Sequence, residues 1–311
     1  MKLVLHPNID LLPHHCHPAL FFSGHPTPFI TTAGKMRSHN TEMLSPSLYE
    51  VTYSRDPPSI YGITYSRDAT VKAFRGYFQF LSAMYADESI IQEPPEDGWP
   101  TISLNGWPKF DKTDKVIDLL RHLPYISGFT QIAPECNFVS WHTCREDEDG
   151  VHFHEVSEPF EDEAKMPSHI VGLTSQWQKG LTFLLDTELG VIYWYECEDE
   201  AKVDIPEVHP DPYGWFDDDL ITEDQAEWRS NGGVWEISDF FEMLKANFRT
   251  LNFVPFRYDN VRAAWHGRSD ECQETLEGVQ KIYKDHGWPD LKRHRKTDCL
   301  AAIEAYLKTR E

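Results

Sequence analysis

His152-Phe153-His154 is the pairing with the sharpest stereochemistry in this chain. Alternate residues of a strand project to one face, so the two imidazoles could share a metal ion, with Glu155 or Glu158 nearby as an oxygen donor. His152, His154 and Glu158 would then form a divalent-metal centre, and His142 lies ten residues upstream of His152. The setting argues the other way, because Val151 to Val156 fall within an acid-rich insertion, 146–163, of the kind that loops out of a domain. His14-His15-Cys16-His17 is metallophilic by composition, yet adjacent ligands in a Pro-rich arm lack the spaced partners of a closed zinc site. The cluster Asp217, Asp218, Asp219, Glu223 and Asp224 resembles a magnesium-binding carboxylate group. A DDxxD spacing needs an acid at positions 220–222, where Leu220, Ile221 and Thr222 stand, so a solvated acidic loop is the simpler reading.

Nucleophilic chemistry has two candidates, Cys136 and Cys144, with His142 close in sequence; the alternative is a pair of buried, inert thiols. The six cysteines show no CxxC spacing and read as reduced thiols. No GxGxxG follows a strand, and neither GxxxxGK[ST] nor GxSxG occurs, which removes the main support for nucleotide and α/β-hydrolase chemistry. No cofactor is expected, a divalent metal belonging only to the His152 alternative. The ten tryptophans offer a different function. Trp177, Trp215, Trp228 and Trp235 surround the expected sheet, where exposed rings beside acids would bind a basic, aromatic-containing protein segment. Trp194 reads as core.

The elements that must hold these groups follow from periodicity. Val71, Phe74, Phe78, Leu81 and Tyr85 recur at helical steps behind Asp68 as a possible N-cap, and Val116, Leu119, Leu120 and Leu123 do so behind Thr113. Phe138–Trp141 and His169–Leu173 read as strands. Leu181–Leu185 and Val191–Tyr195 flank a five-residue loop, Asp186 to Gly190, and so form a hairpin. Ser238 or Asp239 opens a helix carrying Phe241, Leu244, Phe248 and Leu251. Further helices run from Asp270 to Asp285 and from Thr297. Three Gly-Trp-Pro triplets, at Gly98, Gly106 and Gly287, read as loop anchors. The five residues Thr52 to Asp56 recur as Thr64 to Asp68, too short a duplication for a repeat architecture.

The expected fold is therefore α+β, a central antiparallel sheet flanked by amphipathic helices with a helical C-terminal extension. Residues 1–47 read as an irregular or disordered His/Pro-rich arm, 48–265 as the α+β domain, and 266–311 as the extension packing on it. The formal charge is −22, with residues 281–311 at +3 and the remainder at −25. Such a surface repels phosphate backbones, so nucleic acid is not an expected partner. The exception is the run Lys292 to Lys296, which reads as a nuclear address, an anion patch or a solvated flank. No apolar run reaches membrane-spanning length, and the prolines within Met1 to Leu20 interrupt any signal-peptide core, so a cytoplasmic or nuclear location is expected.

The order of elements resembles the Knr4/Smi1-like (SUKH) group. The residues that carry this are Leu181 to Tyr195, an apolar strand, an Asp-x-x-x-Gly turn and an aromatic strand, then the Ser238 to Leu251 helix, with Val71 to Tyr85 as the leading helix. Gly98-Trp99-Pro100, His169 to Thr174 and His286 to Lys296 also look like an uncharacterised protein family of filamentous fungi. The resemblance implies an α+β domain used for protein interaction or regulation and supplies no catalytic residues. The function expected is thus a non-enzymatic, intracellular interaction module with an acidic, Trp-rich surface that takes a basic protein partner. The alternatives are a metal-dependent enzyme acting on a small metabolite and a carrier of an apolar ligand.

Overall fold

Two five-residue strands with every second side chain apolar on each face form the centre of the fold. In the computed structural model, which describes residues 58–103, 107, 110–144, 166–175, 181–208, 228–266 and 269–310, β4 (Thr182–Asp186) and β5 (Val191–Tyr195) pair antiparallel from Thr182↔Tyr195 to Asp186↔Val191. β3 (Ile170–Gly172) adds to β4 and β6 (Gly232–Glu236) to β5, giving a four-stranded sheet in the order β3-β4-β5-β6. Because side chains alternate, Val171, Phe183, Leu185, Ile192, Trp194 and Trp235 enter one apolar layer, while Ile170, Leu184, Val191, Tyr193 and Val234 enter a second. Burial on both sides explains why β4 reads as a continuous apolar run rather than an alternating one.

The first layer is closed by helices. α1 (Arg67–Met84) buries Val71, Phe74, Phe78 and Leu81 on the stripe its spacing predicts, and Ser66, rather than Asp68, is its N-cap, its hydroxyl accepting from the Ala69 amide. α2 (Asp114–His122) starts behind Thr113 as expected, the Thr113 hydroxyl accepting from Val116. α3 (Ile237–Thr250) begins one residue before Ser238, after Glu236 and without a side-chain cap, and Asp239 is buried in its first turn. Phe241 of α3 meets Phe74 of α1 with ring centroids 4.7 Å apart, and Phe240 meets Phe183 at 4.9 Å. These edge-to-face contacts knit α1, α3 and the sheet into one core.

Several elements differ from the sequence reading for local reasons. Phe138–Trp141 is not a strand: Phe138 makes a single bridge to Thr174, and Trp141–Thr143 turns as a 3-10 helix. Trp141 spends its indole N–H on the Gly172 carbonyl at 3.2 Å, which draws the chain across the sheet edge rather than along it. The hairpin loop is four residues, since Asp186 still pairs with Val191. Two short pairs were not anticipated, β1 (Ile91–Gln92) with β2 (Tyr125–Ile126), and β7 (Phe253–Arg257) with β8 (Asn260–Ala263).

The last two helices, α4 (Asp270–Asp285) and α5 (Lys296–Lys308), pack on these residues through directed contacts. Tyr283 donates to the Pro255 carbonyl at 3.0 Å, and Trp288, of the third Gly-Trp-Pro triplet, donates to the Phe248 carbonyl at 2.9 Å. Trp99 likewise donates to the Leu123 carbonyl, while Trp107 is buried against Phe110 and Trp141. The helices and antiparallel sheets make this an α+β fold with helices at its C-terminal end. No helix among the described residues is long and apolar enough to cross a membrane.

Candidate functional site

Charged side chains withdrawn completely from water mark the first place where structure or chemistry must account for them. Asp186, the last residue of β4, has no exposed surface, and Arg229, just before β6, is 3% exposed at its side chain; their oxygen and nitrogen lie 3.1 Å apart. The Asp186 Oδ1 also accepts from the amides of Glu188 at 2.8 Å and Leu189 at 2.9 Å. Arg229 donates to the Tyr193 hydroxyl and stacks its guanidinium over the rings of Trp228 and Tyr193, at 4.7 and 5.0 Å. Burial raises the Tyr193 hydroxyl pKa, against the pull of Arg229, so the phenol stays protonated. His169 approaches both Asp186 and Glu188 at 3.7 Å. With two amides and a guanidinium on its carboxylate, Asp186 is an anchor for the turn. The group locks the hairpin turn to the segment that enters β6.

A second cluster lies where β8 faces α4. Glu198 Oε2 accepts from the Trp265 indole N–H and lies 2.8 Å from His266 Nε2. The carboxylate can only accept in that contact, so His266 donates through Nε2. His266, Arg262 and Cys272 line a cavity of about 20 Å³ together with Glu135, Gln273 and Leu276. Glu135 sits at a positive φ of 53° in the turn that carries it to the cavity, a backbone region uncommon outside glycine. Cys272 is the third residue of α4.

His142 does not form a dyad with either candidate cysteine. Its ring is sandwiched between Trp99, at 4.3 Å, and Tyr125, at 4.8 Å, and its Nδ1 is buried without a hydrogen-bond partner. Burial lowers its pKa from the usual 6.5, which favours the neutral ring. Cys136 is buried with its thiol directed to the Leu181 carbonyl, and burial holds its pKa well above the usual range. Cys144 donates to the Ser140 carbonyl and is pushed up to about 11 by burial. Both are inert thiols at neutral pH.

The remaining sequence candidates divide by location. His152, His154, Glu155 and Glu158, the Asp217 to Asp224 cluster, Trp177, Trp215 and His14 to His17 lie outside the described residues. Among the described residues no group of three or more His, Cys, Asp and Glu is placed to hold a metal ion. Trp228 is 8% exposed and packs edge-on to Tyr193, and Trp235 is fully buried with its indole N–H on the Ile205 carbonyl. Neither ring is a surface for a partner; they are core and anchor. The basic run is only partly a solvated flank. Lys296 donates to the carbonyls of Ser82, at 2.8 Å, and Ala86, and His294 Nε2 lies 3.0 Å from the Met84 carbonyl. Two of its five residues therefore close the C-terminal end of α1, where a cation complements the helix dipole. Lys292, Arg293 and Arg295 remain exposed.

Arg229, Glu198, His266 and Cys272 were not singled out from sequence. Arg229 had one signal, a lone cation after an acidic stretch and directly before an apolar strand. The contact of Glu198 with His266 spans 68 positions and has none. No family model, curated protein or solved structure matches the chain.

Proposed function

We propose that this chain is a non-enzymatic protein-interaction module, acting in the cytoplasm or nucleus, whose acid-rich segment 209–227 receives a basic partner. The observation that carries the reading is the way the two ends of that segment are held. Val208 is fully buried and its amide donates to the Val234 carbonyl at 2.8 Å. At the other end Trp228 and Arg229 are buried against Tyr193 and Asp186. The sequence between them contains seven Asp or Glu, no Lys or Arg, and the aromatic residues Tyr213, Trp215 and Phe216. Aromatic anchors beside acids are the side chains that engage Arg- and Lys-rich protein surfaces. We extend the proposal to a place beside the Knr4/Smi1-like group on the residues named above.

The test is affinity capture with the full chain and with a variant carrying Asp217→Asn, Asp218→Asn, Asp219→Asn and Trp215→Ala. The native chain should retain a stoichiometric basic protein at about 0.15 M salt and release it as salt approaches about 1 M, where the screening length falls to ~3 Å. The variant should not retain it at either. Equal capture by both chains would remove segment 209–227 from the function.

A further inference from the structure

The chain carries 51 Asp and Glu against 29 Lys and Arg, so a cation without an acidic partner runs against its composition. Most cations at the C-terminal end are matched. Lys281 pairs with Asp285, Lys308 with Glu304 and Arg310 with Glu274. Arg295 donates to the Asp285 carbonyl at 3.2 Å and lies 3.7 Å from Asp298. Lys284, Lys292 and Arg293 are exposed and form no ion pair with another described residue. Lys284 sits in the last turn of α4, where a cation complements the helix dipole. Lys292 and Arg293 lie just ahead of α5, whose N-terminal dipole favours anions, so helix electrostatics do not account for them. Asp290, the acid of this turn, turns its Oδ1 to the Lys292 amide at 3.0 Å. The loop is also held in one shape. The Arg293 and His294 amides donate to the Asp290 carbonyl at 2.9 and 2.8 Å, the Arg295 amide donates to the His286 carbonyl at 2.9 Å, and Trp288 pins the loop to the Phe248 carbonyl. Gly287, whose amide donates to the Lys284 carbonyl, lies so near Arg293 that a Cβ there would stand 2.5 Å from the Arg293 carbonyl oxygen, which brings the end of α4 alongside the two cations.

We infer that this loop is a docking surface for a short acidic segment of another protein, whose carboxylates meet Lys284, Lys292 and Arg293 and whose apolar side chain covers Leu291, which is 51% exposed. Residues 281–296 hold six Lys or Arg and two Asp within a chain of net charge −22, so the surface is a basic pole on an acidic molecule. At physiological salt the screening length is about 8 Å, and a partner feels the pole only when it seats there. A nucleic acid, with a charge about every 1.7 Å of duplex, extends beyond the pole onto the acidic remainder. A short acidic protein segment does not, and it brings the apolar contact that Leu291 offers. A linear nuclear address fits less well, because the run would have to leave the fold and give up the bonds of His294 and Lys296 to α1. The surface shares no residue with segment 209–227 and is opposite to it in charge.

The experiment follows the fluorescence anisotropy of a dye-labelled peptide of Glu-Glu-Leu repeats titrated with the full chain at about 0.05 and 0.15 M salt. The native chain should bind it saturably, more weakly at the higher salt. Lys292→Glu with Arg293→Glu should lower the affinity by about tenfold, and Lys292→Gln with Arg293→Gln should give an intermediate loss. Lys72→Glu with Lys115→Glu places the same change in net charge on exposed residues of α1 and α2 and should stay within about twofold of native. Leu291→Ala should weaken the Glu-Glu-Leu peptide and leave a polyglutamate of equal charge unaffected. Urea midpoints of all variants should match the native value, since the substituted side chains are exposed. Absence of saturable binding by the native chain, equal losses in the two Lys and Arg reversal pairs, or tighter binding of an oligothymidylate of equal charge would each overturn the inference. Self-association of the native chain that Lys292→Glu with Arg293→Glu abolishes would overturn it too, by giving the surface to a second copy.

Discussion

Replacing Arg229 by Met isolates the energetics of the buried pair. The side chains of Asp186 and Arg229 are 0% and 3% exposed and 3.1 Å apart. Removing the cation leaves the buried carboxylate without its guanidinium, with the His169 ring 3.7 Å away as its other ion-pair contact. Breaking a buried pair from one side costs about 3–5 kcal/mol. Asp186 keeps its two amide donors from Glu188 and Leu189, which places Arg229→Met near the lower bound, about 3 kcal/mol. Asp186→Asn alone sets an amide N–H₂ against the guanidinium, donor to donor, and costs a comparable amount. In the double variant the Asn carbonyl still accepts from both amides and no charge is buried, so the total should fall to about 1–2 kcal/mol, a coupling of about 4–5 kcal/mol. Urea unfolding of the four proteins, followed by tryptophan fluorescence, measures this as shifts in midpoint at constant slope. Additive single costs, or an Arg229→Met loss below about 1 kcal/mol, would show that the pair is not a lock and that the turn holds β6 by other means.

Two further outcomes follow from the same geometry. His142 has a folded pKa below its usual 6.5 because burial disfavours the charged ring. The unfolded chain therefore binds more protons just below 6.5, so stability falls as pH drops through 6.5 toward the folded value. His142→Phe should flatten that part of a stability-against-pH curve, and an unchanged slope would show that His142 is not its source. Gly233→Ala places a Cβ 2.3 Å from the Trp235 ring, which cannot retreat from the core without moving β6. The expected loss is about 1–3 kcal/mol in thermal or urea melts, and a stable variant would refute that close approach.

Where side-chain patterns are local, the sequence was enough. The Thr113 cap, the span Asp270–Asp285 and the strand Val191–Tyr195 all rest on neighbours within one or two turns, and each is found at the expected residues. The misses have a common cause in contacts that local patterns do not encode. β6 begins with Gly232-Gly233, which reads as a breaker, but Trp194 and Trp235 approach that backbone so closely that only glycine fits. β7 contains Pro255, which demotes a strand reading, and the pairing with β8 accommodates it beside a register shift. The candidate sites were less legible still. Asp186 read as a turn residue, and its partner Arg229 lies 43 positions away. Spatial clusters of single, widely spaced side chains leave no periodic trace.

The contacts that close α1 also set an order of events in the cell. Lys296 reaches the Ser82 carbonyl across 214 positions, and His294 reaches Met84 across 210. A ribosome has therefore added more than two hundred residues after α1 before the groups that complete its last turn exist. At roughly 5–20 residues per second, the carbonyls of the last turn of α1 wait at least ten seconds for these two groups. Nascent chains halted before His294 should accordingly be the ones that engage chaperones, and release past Lys296 should mark the step at which they let go.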